Sequence, residues 1–260
     1  MSSGARTSAP PEFLRLAGHP LRWRLMSALA DSDLRVRELA ELVDEPQNLV
    51  SYHLRLLRSG GVVTASRSSF DGRDSYYRLD LDRCAAGLAA VGRHLHPSVS
   101  TQPLDSRPPA SRGPAVLFVC TGNSVRSPMA EALLRHHTGG RLVVGSAGVA
   151  PRARFDPEAV RVLQRRLGVD LRSMHPRHIT AVEPHRFDHV VTLCDRAREH
   201  LPELPQQPRR LHWSTPDPAA AAGTPAERRR AFRRIADDIE SRVRHLVPAL
   251  LALTTEEDQG

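Results

Sequence analysis

Apolar residues recur at helical spacing through the first third of the chain. Phe13, Leu14, Leu16 and Ala17 open one helix, and Pro20 opens a second that gathers Leu21, Leu25, Met26 and Leu29 on one face. Val36, Leu39, Ala40 and Val43 mark a third. Asp44-Glu45-Pro46 is a turn, and Pro46 suits the start of a fourth helix, from about Gln47 to Ser59, that buries Val50, Leu54 and Leu57 before Gly60-Gly61 ends it. The period then shortens: Val62–Ala65 and Tyr76–Leu79 read as strands around Asp71-Gly72, a hairpin signal. A last helix spans roughly Leu81 to His94. Helix, turn, helix and a two-stranded hairpin predict a winged helix-turn-helix, α+β and mostly helical.

After Pro114 strand and helix patterns alternate, which predicts an α/β domain on a parallel sheet. Ala115–Val119 is a short buried strand ending in Cys120, followed by a helix through Met129, Leu133 and Leu134. Leu142–Gly148 reads as a strand ending in a turn, Pro157–Leu167 as a helix, Val190–Cys194 as a strand, Arg209–Trp213 as a short strand and Pro225–Leu253 as a long helix. Residues 98–113 are rich in Pro and Ser without an apolar period and read as a linker; 1–11 and 254–260 read as disordered tails. The two domains are therefore placed at 12–97 and 114–253, and no internal repeat is visible.

The 260 residues suffice for two domains of ordinary size. All 37 basic residues are arginine, the net charge is +8 and the isoelectric point is near 10.7, which suggests an anionic partner without identifying it. Residues 1–97 carry 13 Arg against 11 acids and the remainder 24 against 18, so bulk charge alone does not mark the first half as a nucleic-acid binder. Three cysteines, at 84, 120 and 194, do not make a secreted disulfide framework. No signal peptide and no apolar run of membrane-spanning length is visible, so the expectation is a cytoplasmic protein with no membrane partner.

The densest chemistry lies at Cys120-Thr-Gly-Asn-Ser-Val-Arg126-Ser127-Pro128. A five-residue loop between strand and helix, Thr121, Gly122, Asn123, Ser124 and Val125, can wrap its backbone N–H groups around one tetrahedral oxyanion. Arg126 closes the ring with a planar fork suited to two oxygens. The same positive surroundings favour the thiolate of Cys120, the reactive form. Pro128 fits the first turn of the helix. At these residues the chain resembles the low-molecular-weight protein-tyrosine phosphatase superfamily, which also contains thiol-dependent arsenate reductases; the resemblance covers roughly residues 114–250. It implies that Cys120 is the nucleophile, that Ser127 stabilises its thiolate and that Asn123 holds the loop in a strained shape. Trp213-Ser-Thr-Pro-Asp217-Pro-Ala219 resembles the acid loop, with Asp217 as the general acid that protonates the leaving oxygen. Ser146 and Glu131 match positions that in some arsenate reductases help hold a structural cation.

Phosphatases of this superfamily commonly carry Met-Asp after the strand that here ends at Leu193, whereas arsenate reductases carry Cys-Asp. This chain has Cys194-Asp195, and its acid loop carries Trp213 and lacks the tyrosine that often follows Asp-Pro in phosphatases. Both features resemble the reductases. Reductases with an internal three-cysteine cascade have a third cysteine seven residues beyond the second, where this chain has Leu201. Two routes follow: a Cys120–Cys194 disulfide reduced by an external thioredoxin, or attack on the Cys120 adduct by a low-molecular-weight thiol. The substrate is arsenate or a phosphate ester, no tightly bound cofactor is implied, and a phosphatase or a non-catalytic oxyanion sensor stand as alternatives. Intact Cys120, Arg126 and Asp217 argue against the sensor.

In the first domain the polar face of the second helix of the motif carries Gln47, Asn48, Ser51, Tyr52 and Arg55, side chains that can reach base edges and phosphates in a major groove. Arg67 and Arg73 flank the wing turn and suit backbone phosphates. Residues 13–95 resemble the ArsR/SmtB family of repressors through Ala17-Gly-His-Pro-Leu-Arg22, Glu38-Leu-Ala-Glu-Leu, Val50-Ser-Tyr-His-Leu-Arg-Leu-Leu-Arg58 and Tyr76-Tyr-Arg-Leu79. That resemblance implies a homodimer, joined through the terminal helices, that binds inverted repeats in double-stranded DNA. The Cys-x-Cys pair with which many members sense arsenite or metals is replaced by Arg35-Val-Arg37. Asp82, Cys84, His94 and His96 do not match the spacing of the other family metal site, so no metal ligands are assigned and Cys84 reads as a packed side chain.

Overall fold

The computed structural model describes residues 10–68, 74–95, 114–169, 174–182, 187–204 and 208–257. The chain forms two compact units. The first contains α1 (Glu12–Ala17), α2 (Pro20–Ala28), β1 (Leu34–Arg35), α3 (Val36–Val43), α4 (Gln47–Ser59), β2 (Val63–Arg67), β3 (Ser75–Leu79) and α5 (Leu81–Leu95). Local chemistry sets the helix ends. His19 Nδ1 accepts the Leu21 N–H ahead of Pro20, and the Glu38 carboxylate reaches back to the Arg35 N–H at 2.7 Å. Asp44 (φ 49°) and Gly61 (φ 70°) supply the left-handed turns after α3 and α4. Leu25, Leu39, Val50, Leu54 and Leu57 are fully buried between the helices.

The wing contains one strand more than the pattern predicts. β1 pairs antiparallel with β3, Leu34 opposite Tyr77 and Arg35 opposite Tyr76, giving a three-stranded sheet in the order β1-β3-β2. Two residues cannot display a strand period, so β1 leaves no trace in the hydrophobic pattern. The linker at 98–113 and the wing tip with Arg73 lie outside the described residues, as does His96.

The second unit contains β4 (Val116–Cys120), α6 (Arg126–His137), β5 (Val144–Gly148), α7 (Pro157–Leu167), β6 (His189–Thr192), α8 (Asp195–Glu199), β7 (Arg209–His212) and α9 (Pro225–Glu257). The four strands are parallel in the order β5-β4-β6-β7. Every residue of β4 is buried, as expected for a central strand covered on both faces. Phe232, Ala236, Ile239 and Val243 form the buried stripe of α9, which packs on α6. That helix runs on to Glu257, through part of the stretch expected as a tail; once nucleated, a helix extends without an apolar stripe. Cys194 is not the end of a strand. It stands just before α8, an element of five residues too short to show a period. The strand order reverses at β4, with β5 on one side and β6 on the other, so a crevice opens at the carboxyl end of β4. Among the described residues no helix is long and apolar enough to cross a membrane.

Candidate active site

The loop after Cys120 occupies that crevice. Its carbonyls are tied outward: Val149 N–H donates to Cys120 O (3.2 Å), Ala150 to Thr121 O (2.9 Å), Arg152 to Gly122 O (2.9 Å) and Asp156 to Ser124 O (3.0 Å). A trans peptide points its N–H opposite its C=O, so the N–H groups of Thr121, Gly122, Asn123 and Val125 face away from the 149–156 segment. Gly148 makes this approach possible, because a Cβ there would lie 2.7 Å from Thr121 O and 2.9 Å from Asn123 N.

Asn123 is the keystone of the loop. It is buried and holds φ at +45°, a conformation Asn tolerates better than most residues. Its Nδ2 donates to Ser127 Oγ (2.9 Å) and Ser146 Oγ (3.0 Å), and its Oδ1 accepts the Arg177 N–H (2.7 Å). Ser127 Oγ is thereby fixed 3.0 Å from Cys120 Sγ and 3.2 Å from Ala147 O, with one hydroxyl proton for two acceptors.

Arg126 begins α6 and is 5% exposed. Its Nη1 donates to Thr215 O (2.9 Å) and its Nη2 lies 3.5 Å from Asp217 Oδ2. Burial opposes its charge, but Cys194, Cys120, Asp217 and Asp195 outweigh that effect and hold the guanidinium above its ordinary range. Asp217 also caps the short turn 218–220 by accepting the Ala219 N–H at 3.0 Å. Cys194 is buried and its Sγ is 3.2 Å from Thr121 Oγ1. Burial pushes its thiol up and the neighbouring Cys120 adds to this, while Arg126, the Thr121 hydroxyl and the Ala197 N–H pull it down.

Cys120, Thr121, Gly122, Ser124, Val125, Arg126, Cys194 and Asp217 line one cleft of about 430 Å³. Asn123 and Ser127 lie behind it as supports. Arg152 and Arg196 also line the cleft and were not anticipated: both side chains are exposed on loop or short-helix positions where no periodicity or motif marks them. Asp195, the second member of the Cys-Asp pair, is buried, held by Ser214 Oγ at 2.7 Å and facing His212 at 3.3 Å. Glu131 and Ser146 each meet an arginine. Arg135 pairs with Glu131 at 2.9 Å and Arg177 donates to Ser146 O at 3.3 Å, so guanidinium groups already supply the positive charge there.

In the first unit Gln47, Asn48, Tyr52 and Arg55 are exposed on α4 and Ser51 is half-buried, opposite Val50, Leu54 and Leu57. Arg67 is exposed at the end of β2, and Arg73 lies outside the described residues. Cys84 is buried, and burial, then Asp80, pushes its thiol up to about 11. Among the described residues no cluster of three or more His, Cys, Asp or Glu is placed to hold a metal ion.

Residues 115–257, more than half of the chain, match the low molecular weight phosphotyrosine protein phosphatase family. The chain belongs to that family. Residues 19–65 match the bacterial regulatory protein arsR family. The arsenate reductase of Bacillus licheniformis is 37% identical over 129 residues, 50% of this chain and 91% of the relative. That of Bacillus subtilis is 36% identical over the same length and the same shares. A crystal structure of arsenate reductase from Archaeoglobus fulgidus is 32% identical, covers 51% of this chain and 98% of its own, and superposes with a TM-score of 0.42. The chain thus joins an ArsR-type helix-turn-helix to a phosphatase-family domain of the arsenate reductase type.

Proposed function

We propose that the second unit reduces arsenate with Cys120 as nucleophile and Cys194 as the resolving thiol, and that the first unit couples this activity to transcriptional control of arsenic resistance. The observation that carries the reading is the meeting of both cysteines, Arg126 and Asp217 in one cleft. The loop N–H groups and the Arg126 fork hold the oxyanion. Cys120 Sγ attacks arsenic while Ser127 donates to the thiolate, an As–S bond forms, and an oxygen leaves as water with a proton from Asp217. Cys194 Sγ then attacks Cys120 Sγ. The electron pair of the As–S bond returns to arsenic, As(V) becomes As(III), and arsenite departs from a Cys120–Cys194 disulfide. Leu201 packs against the core where a third thiol would stand, so an external thiol, thioredoxin or a small one, must reduce that disulfide.

Gln47, Asn48, Ser51, Tyr52 and Arg55 read a major groove, with Arg67 and Arg73 on phosphates. Leu14, Leu88 and Leu95 are exposed on α1 and α5, which supports a homodimer through these helices on an inverted repeat. The test is arsenate-dependent NADPH oxidation with thioredoxin or a low-molecular-weight thiol relay, run beside hydrolysis of an aryl phosphate. Reductase turnover that disappears in Cys120→Ser supports the proposal. Aryl phosphate hydrolysis without any arsenate reduction would make the domain a phosphatase.

A further inference from the structure

The winged-helix half is nearly neutral, with 13 Arg against 11 acids, and most of the chain's excess positive charge lies after residue 97. One segment concentrates it: Arg228 to Arg234 holds five arginines and no acid. Two of them, Arg229 and Arg233, face α7, while Arg228 pairs with Asp156 at 2.9 Å. Arg161, Arg165, Arg166, Arg229 and Arg233 line one groove between the two helices, with Glu158 as its single acid. Arg161 pairs with Glu158, and Arg166 with Asp237 and with Glu240 at 3.0 Å. For Arg165, Arg229 and Arg233, all exposed, no carboxylate partner is found among the described residues. Like charges gathered this way repel one another and lower the stability of the fold unless an anion joins them. None of the five lines the oxyanion cleft.

We propose that this α7–α9 groove binds the phosphodiester backbone of duplex DNA, adding sequence-independent contacts to those of the helix-turn-helix. Guanidinium forks match phosphate oxygens. Because both units belong to one chain, a duplex held by the first raises the effective concentration of phosphates for the second. The groove would supply the counterion release that a near-neutral reading domain cannot supply alone.

The test compares full-length wild type with Arg165→Ala/Arg229→Ala/Arg233→Ala, measuring affinity for a mixed-sequence DNA duplex across a salt series. Three lost phosphate contacts should make the plot of log K against log salt shallower by about 2 to 3, so that wild type loses about 40-fold more affinity than the variant between roughly 50 and 200 mM salt. Aryl phosphate turnover should be unchanged in the variant, which verifies that α7 and α9 are folded; the corresponding triple Gln variant serves if the Ala variant is not. An unchanged slope in a folded variant overturns the proposal, whatever acidic protein the groove then takes. Wild type that binds no duplex at low salt also overturns it, while leaving the oxyanion chemistry untouched.

Discussion

Asn123→Ala should damage both the stability of the second unit and its hold on an oxyanion. The substitution removes three hydrogen bonds, to Ser127 Oγ, Ser146 Oγ and the Arg177 N–H. At about 1 kcal/mol each these account for about 3 kcal/mol. The φ of +45° costs an alanine roughly 1 kcal/mol more than an asparagine, for a total of about 4 kcal/mol. Asn123→Gly loses the same bonds without the backbone strain and should be less destabilised than the alanine variant by about 1 kcal/mol. Urea unfolding followed by the fluorescence of Trp213, in a Trp23→Phe background, reads the second unit alone. Because Ser127 then loses the donor that orients it beside Cys120, phosphate affinity should fall by on the order of 10-fold or more. If Asn123→Ala costs less than about 1 kcal/mol and binds phosphate like wild type, the loop is not held from Asn123 and the argument for its geometry fails.

Arg126→Lys should be severely impaired in oxyanion affinity and turnover although charge is kept, because an ammonium cannot replace a fork that also donates to Thr215 O; near-normal titration and kinetics would remove Arg126 as the clamp. Cys194→Ser should stall after one attack on arsenate yet still hydrolyse an aryl phosphate, and equal reductase rates with every reductant would leave Cys194 a packing residue. His53, buried on α4, is held below its ordinary value of 6.5 by burial and by His19 and Arg22, with Glu45 opposing. The unfolded chain then binds the proton more readily, so His53 contributes stability that is present above about pH 6.5 and lost as the pH falls through its folded value. Thermal unfolding of the first unit from pH 7 downward should show this loss, and His53→Gln should flatten it; identical acid profiles would contradict the assignment.

Long periodic elements and the oxyanion loop are legible in the sequence itself. Pro46, Gly60 and three apolar positions placed α4 at Gln47–Ser59, the span the structure shows. Cys120, Arg126 and Asp217 lie 97 positions apart from first to last, yet strand-loop-helix logic and the acid-loop motif brought them together. What escaped was short or tertiary. β1 and α8 are below the length at which a period can be seen. Arg152 joins the cleft from a loop and Arg196 from the five-residue α8, and Asp195 meets Ser214 and His212 from another strand end. Arg177, whose side chain reaches Ser146 O, comes from a stretch with no pattern of its own.

The most direct test of the reductase account is a single turnover without external thiol. Fully reduced chain is mixed with arsenate, arsenite is quantified, and the cysteine linkages are mapped by peptide mass spectrometry. The account predicts one arsenite per chain together with a Cys120–Cys194 disulfide, and Cys84 left as a thiol. A chain that hydrolyses aryl phosphate but releases no arsenite and forms no such disulfide would contradict it.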